Sequence, residues 1–463
     1  MEGRAKLIDN RYNVIAMEYF PEADGVTPSR SLHDKKDWLS KAFDCDGTPR
    51  IQEMEGQDGN PILARGAFGE ISIAIDTRQG WRLAVIKTII STTTNNPNNA
   101  NSQGIETGSS NGSTKLLSSK LSKETRNEIM ALRLLNPHPC IVPFLGLYPS
   151  SNQKMRPGAL SLAFSYCPMD LQLLLDCRKK ALSGPLSFSV VKALSKDILS
   201  ALQHCHSHGI LHRDVKPANL LLSTKGRVQL CDFGLAKACS EHLKSYHNLP
   251  ELQPNDAGSK GLCTIYYRPP EILLGGPASH RSIDIYSAGL VIAELATGRP
   301  VLDGKSVLDQ LGKTFQLLGT PSDTHWPGAQ ELPDWGKVNF HHREPQSLVS
   351  ILPRVAECPH FAHFLERLIV INPQERSDAN SALLQTWFKE KPEASSMAQV
   401  AALISNEILP PKVIFSSVNI LNTSLTPTSK KQALAVAASR RAFLNAPKKK
   451  LEFISFHGVD CIQ

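Results

Sequence analysis

Four polar side chains, Asp214, Lys216, Asn219 and Asp232, stand close together in the stretches ILHRDVKPANLLL and VQLCDFGLAK. Phosphoryl transfer asks for such a set: a carboxylate to orient an attacking hydroxyl, a cation near the transferred group, and oxygen ligands for Mg2+. A chance run of loop charges would not reproduce residue type, order and interval together. Upstream, ARGAFGEI runs from Ala64 to Ile71. It puts Gly66 and Gly69 where a turn brings backbone N–H groups near phosphate oxygens. Taken alone this stretch reads better as an ordinary hairpin turn, because Ala64 stands where a GxGxxG loop has its first glycine. Lys87 adds weight, since an ammonium inside a strand needs a carboxylate or phosphate partner, and Glu128 is the candidate carboxylate. Singly, each of those two is as readily an ordinary solvated charge.

The elements that must position these groups follow from periodicity. ISIAID and WRLAVIKTII, separated by TRQG, predict an antiparallel strand pair with Lys87 inside its second strand. KETRNEIMALRLL predicts a helix that carries Glu128 and stops before Pro137. ALSLAFSYCPMDLQLLL reads as a strand, a short connector and a helix start, and VVKALSKDILSALQHCHSHG as a long amphipathic helix ending at Gly209. Further helices are expected at IDIYSAGLVIAELATG, SVLDQLGKTFQLLG and FAHFLERLIV. A strand-rich first part followed by a helix-rich second part gives an α+β fold with two lobes. Residues 91–119 are dominated by Asn, Ser, Thr and Gly, cannot bury enough apolar area to offset ordering entropy, and are expected to be a disordered insertion. Residues 1–57 read as an N-terminal extension, 58–388 as the principal domain, and 389–463 as a C-terminal tail.

Bulk properties narrow the class. The 463 residues carry 51 basic and 43 acidic side chains, a mild excess that does not by itself indicate nucleic acid. The basic end of the chain offers only Phe443, Phe453 and Phe456 as stacking aromatics, so no direct nucleic-acid partner is expected. Ten cysteines are scattered without metal-type spacing, which suggests reduced thiols in the nucleus or cytoplasm. The N-terminal MEGRAKLIDNRYNV lacks an apolar signal core, no window is apolar over the length a membrane span needs, and no membrane partner is expected. His204, His206, His208 and His212 lack the companions a metal site needs.

With these residues in hand, the segment from about Asn60 to Phe388 resembles eukaryotic protein kinases, and within them the cyclin-dependent-kinase-like (CMGC) branch. YYRPPEILLG, SIDIYSAGLVIAELATGRPVLDG and, above all, DQLGKTFQLLGTPSDTHWPG carry the branch resemblance. The resemblance implies a bilobal fold that uses ATP and Mg2+. Asp214 would be the catalytic base and Lys216 would contact the γ-phosphate. Asn219 and Asp232 would bind Mg2+, and Lys87 would pair with Glu128 while holding the α- and β-phosphates. The loop Ala64, Arg65, Gly66, Ala67, Phe68 and Gly69 would cover the phosphates. The adenine would lie between Ile71 and Val85 above and Leu221 below, with Phe164 behind and Ser165, Tyr166 and Cys167 supplying backbone bonds. Asp170 either accepts from the ribose or caps the following helix. Cys231 reads as an inert buried thiol or as one reachable from the nucleotide. Glu271 with Arg376 would form a buried ion pair, and Asp284 would brace the catalytic loop.

The partners expected are protein substrates with serine or threonine acceptors. Lys216, Thr264 and Arg268 match serine/threonine kinases that favour proline after the acceptor. SKETRNE departs from the cyclin-contacting PSTAIRE-type helix, which argues against cyclin dependence while leaving an activator open. Ser259 occupies the place of an activating phosphothreonine. Of the three arginines that would hold its phosphate only Arg213 is kept, with Asn127 and Lys237 at the other two places. A catalytically dead scaffold is the rival reading, but it would be expected to have lost Lys87, Asp214 or Asp232.

Overall fold

The computed structural model describes residues 51–53, 62–66, 69–76, 82–89, 122–149, 160–239 and 265–408. Ala67, Phe68, Ser259, Thr264, the 91–119 insertion, residues 1–50 and residues 409–463 lie outside the described residues. The first lobe is built on a six-stranded sheet. Its strands are β1 (Ile51–Glu53), β2 (Ile62–Gly66), β3 (Gly69–Asp76), β4 (Arg82–Thr88), β5 (Phe144–Pro149) and β6 (Leu160–Ser165). The path is β1-β3-β4-β6-β5, with β2 also pairing β3. The expected hairpin is β3 with β4, antiparallel, with Ile71 opposite Lys87 and Asp76 opposite Arg82.

Strand period then sorts the side chains onto two faces. Ala74, Ala84, Ile86 and Ala163 form a small buried cluster on one face, with Leu145 packed against it. Val85 and Lys87 fall on the other face, opposite Phe164 and Leu162 of β6, and turn toward the second lobe. Helix α1 (Lys123–Leu135) meets β4 through Glu128 and Lys87 and packs on the Phe233–Leu235 turn of that lobe. Ser122 caps its N-terminus, accepting from Thr125 N at 3.2 Å, and Asn136–Pro137 ends it where the sequence predicts.

The second lobe begins with β7 (Met169–Asp170), α2 (Leu171–Lys180) and α3 (Phe188–Ser207), followed by the short strands β8 (Ile210–Leu211), β9 (Leu220–Leu222), β10 (Val228–Leu230) and β11 (Lys237–Ala238). Its remaining larger helices are α4 (Ser282–Thr297), α5 (Val307–Leu318), α6 (Pro359–Glu366) and α7 (Met397–Ile408). In α4 every residue from Ser282 to Ala296 is buried. A helix apolar on all sides belongs inside a core, and α3 packs beside it. Gly298 ends α4 with φ 75°, a conformation only glycine adopts without strain. The lobes are stitched behind the site: Val142 N donates to Leu230 O at 3.0 Å and Leu230 N to Cys140 O at 2.9 Å.

Ordered structure extends past both ends of the segment 58–388 read as the principal domain. Ile51–Glu53, assigned to the N-terminal extension, pairs with Ala74–Asp76 as an edge strand. Three residues are too few to carry a readable period. The packed structure also runs past Phe388. Val400 and Ile404 of α7, four apart on one helix face, join the main core, and Lys192 Nζ donates to Glu390 O at 2.7 Å and to Pro392 O at 2.6 Å. Among the described residues no helix is long and apolar enough to cross a membrane.

Candidate active site

The catalytic text forms a loop between β8 and β9 that is held from below. Asp284, on the first turn of α4, accepts from His212 N at 2.9 Å and from Arg213 N at 2.7 Å, and its Oδ2 bonds His206 Nε2 at 2.9 Å. Burial alone would raise the Asp284 carboxyl, but these hydrogen bonds outweigh it and hold the group below the usual carboxylate range. His212 accepts from Asp214 N at 3.2 Å through Nδ1, which makes Nε2 the protonated nitrogen, and Nε2 donates to Cys231 O at 2.9 Å. Its ring also meets Phe233 edge-on at 4.8 Å. The histidines that invite a metal reading thus serve as packing and hydrogen-bonding groups. His204, for its part, bonds Leu135 O at 2.9 Å.

Within this loop the Asp214 carboxylate is half engaged. Lys216 Nζ donates to Oδ2 at 2.6 Å and Asn219 Nδ2 to the same oxygen at 2.9 Å. Asn219 also holds Asp214 O at 2.9 Å. The other carboxylate oxygen, Oδ1, is buried and has no hydrogen-bond partner among the described residues. A buried acceptor without a donor is costly and marks a place where a donor from outside is expected.

Across the cleft, Lys87 Nζ lies 2.7 Å from Glu128 Oε2 and 3.4 Å from Asp232 Oδ1. Burial works against the Lys87 charge, yet the two carboxylates outweigh it and keep the ammonium above the ordinary lysine range. Glu128 is lifted by its burial, with Lys87 pulling it back. Asp232 adopts a left-handed conformation, φ 63° and ψ 67°, unusual for any residue but glycine. The three residues after it, Phe233–Leu235, make a 3-10 turn packed under α1. Asn127, the neighbour of Glu128, is buried and donates from Nδ2 to Gly234 O at 3.1 Å. Sequence reasoning saw Asn127 only as a missing arginine.

The predicted nucleotide slot lies between these halves. Gly66 pairs with Gly69 and Ala64 with Ile71 across the antiparallel strands β2 and β3. Arg65 and Glu70 are backbone partners in the same register. Ile71 and Val85 are half-buried above, Leu221 is half-buried below on β9, and Phe164 is buried at the back. The connector follows at Ser165–Cys167, where Ser165 N is already committed to Pro143 O at 3.0 Å, Tyr166 is half-buried, and the Cys167 thiol donates to Gln229 Oε1 at 3.3 Å. Asp170 caps α2, accepting from Leu173 N at 2.8 Å. Burial drives the Cys231 thiol well above its usual range, which suits the inert reading.

Deeper in the second lobe, Arg376 meets Glu271 through two bonds, Nη1 to Oε1 at 2.6 Å and Nη2 to Oε2 at 2.7 Å. No group of three or more His, Cys, Asp or Glu that could cage a metal alone exists among the described residues. Asn219 and Asp232 offer hard oxygen donors of the kind that share Mg2+ with phosphate oxygens.

The family model described as protein kinase domain matches residues 60–388. Among solved structures, the chain is similar to one from Chaetomium thermophilum described as the CAK complex bound to ATP-γ-S. The TM-score is 0.59 and the identity 22%, over 80% of this chain and 98% of that one. At that identity the likeness speaks for the fold alone.

Proposed function

Since the chain belongs to the protein kinase family, we propose that it transfers the γ-phosphoryl group of ATP to serine and threonine hydroxyls of protein substrates, favouring acceptors followed by proline. The observation that carries this reading is the Asp214 carboxylate, one oxygen fixed by Lys216 and Asn219 and the other buried without a donor. The free oxygen is suited to accept the hydrogen of a substrate hydroxyl and to aim the hydroxyl oxygen at the γ-phosphorus. As the new P–O bond forms, the bond to the β-phosphate oxygen breaks, ADP leaves, and the hydroxyl proton passes to Asp214. Lys216, bonded to Asp214, brings positive charge beside the transferred group. Lys87, kept charged by Glu128, offers a cation to the nucleotide phosphates. Asn219 and Asp232 would hold Mg2+, which when bound offsets phosphate charge.

ATP as donor is supported by the family and by the nucleotide named for the similar solved structure. The serine/threonine preference rests on Lys216, Thr264 and Arg268. The CMGC assignment rests on YYRPPEILLG and DQLGKTFQLLGTPSDTHWPG. A nuclear or cytoplasmic location fits the free thiols of all seven cysteines among the described residues. A degenerate peptide array with Mg·ATP tests the whole reading. Serine or threonine followed by proline should be phosphorylated best, and preferred tyrosine acceptors would overturn it. In the same assay Asp214→Asn should lower kcat by about 10³-fold with little change in nucleotide affinity.

A further inference from the structure

Asn127 stands one residue before Glu128 on α1, and its amide reaches a carbonyl 107 residues further along the chain. It is 3% exposed. Its Nδ2 is the atom that faces Gly234, because a carbonyl can only accept, and its Oδ1 has no hydrogen-bond partner among the described residues. A buried amide left half-satisfied is not a good packing residue, so the bond it does make has to account for its presence.

That bond ends on the turn that carries Asp232. Asp232 is held in a left-handed conformation that an aspartate resists. Gly234, two residues on, lies beneath α1, where an added Cβ would meet Glu124 Cβ at 3.5 Å and Glu124 O at 3.7 Å, ordinary contact distances. Helix and turn pack against each other, and Asn127 supplies a hydrogen bond between them. Two carboxylates beside Lys87 hang from this junction: Glu128 from the helix side at 2.7 Å and Asp232 from the turn side at 3.4 Å.

We propose that Asn127 is a positioning residue that clasps α1 to the Asp232–Gly234 turn, so that the two carboxylates facing Lys87 are set and lost together. The amide joins two elements of this chain, and brings no charge to the place where a phosphate-reading arginine was expected. The lysine pair and the turn then form one cooperative unit, governed from within the chain by a single neutral hydrogen bond. Its consequence for phosphoryl transfer rests on the kinase reading above; the structural coupling does not.

The test uses the full-length chain as wild type, Asn127→Ala and Asn127→Asp, the last nearly isosteric but without the donor. Amide hydrogen exchange is followed over 123–135 and 232–236, with 188–207 as internal reference. Both variants should speed exchange in the first two segments together by about tenfold, leaving the reference unchanged, since a buried acceptor loses the Asn127 donor. Exchange unchanged, or faster in 123–135 alone, overturns the clasp. In activity, kcat/KM for ATP should fall by about tenfold in each variant. On a Glu128→Gln background Asn127→Asp should cost far less, because the pair it supports is already broken. Full additivity would mean that Asn127 does not act through Glu128. If wild type transfers no phosphate, the kinase reading fails while the exchange data still decide the clasp.

Discussion

The two halves of the candidate site are supported in different ways. The lower half, the loop of Asp214, Lys216 and Asn219, is braced from inside one lobe. Asp284, on a helix buried on every side, takes two consecutive backbone N–H groups of that loop. The upper half, Lys87 with Glu128 and Asp232, is assembled from a strand, a helix and a turn that belong to distant parts of the chain. The strand's far face rests on a cluster of three alanines and one isoleucine, which buries little area. The chemistry is thus tied to the stability of the second lobe, whereas the placing of the nucleotide depends on contacts that can be broken with less effect on folding.

The largest effect should come from the brace. Asp284→Ala leaves His212 N, Arg213 N and His206 Nε2 without their acceptor. We expect a loss of about 3–5 kcal/mol in stability by urea denaturation, with activity lost alongside. A variant that kept wild-type stability but lost activity would show that the loop is not held through the lobe's core. Glu128→Gln should act the other way round. Asp232 remains beside Lys87, so stability should fall by only about 1–2 kcal/mol while kcat/KM for ATP drops about 10–10²-fold. Equal losses in both measurements would erase the distinction between the halves.

The lower half was largely legible in sequence, and the upper half only in part. Asp214, Lys216, Asn219 and Asp232 sit in two short motifs whose order carries the chemistry, and α1 was readable from its period and from Pro137. Asn127 was not. A hydrogen bond between an amide and a carbonyl 107 residues away leaves no local pattern. The left-handed Asp232 is likewise set by its surroundings and not by its type. The edge strand Ile51–Glu53 was too short to show a period. Helix α7 did carry Val400 and Ile404 at helical spacing, but the fully buried Lys192 that reaches the segment before it reads in sequence as a solvated charge.

A pH measurement sharpens the account of the lower lobe. The Glu294 carboxyl is buried at the end of α4 and receives Tyr267 OH at 2.7 Å. Burial pushes its pKa up to about 7, against the pull of that hydrogen bond. A carboxyl with a raised folded pKa binds more protons in the native state than in the unfolded state, so its contribution to stability is complete at low pH and is lost as pH rises toward about 7. Wild type should therefore lose about 1–3 kcal/mol relative to Glu294→Gln between the ordinary carboxylate range and neutrality. Parallel pH curves for the two proteins would remove Glu294 from the titrating groups of the core.

The smallest effect concerns α7, whose place in the lower lobe the sequence reading did not foresee. Arg178 at the end of α2 pairs with Glu407 at 2.7 Å, and both side chains are mostly buried. Arg178 has other partners: Nε donates to Gly184 O at 3.0 Å and Nη2 to Ser183 O at 2.9 Å. Glu407→Ala therefore does not strand the guanidinium, and the loss should be near that of a partly exposed pair, about 1 kcal/mol. Arg178→Ala should cost more, about 2 kcal/mol, because the carbonyls lose their donor as well. Neither residue approaches Lys87 or Asp214, so kcat and KM for ATP should stay at wild-type values in both variants. Unfolding curves ranked in that order, with unchanged kinetics, identify α7 as a structural part of the lower lobe. A fall in kcat for Glu407→Ala would instead mean that the last helix communicates with the site, and the division between a self-supporting lower half and a dependent upper half would have to be redrawn.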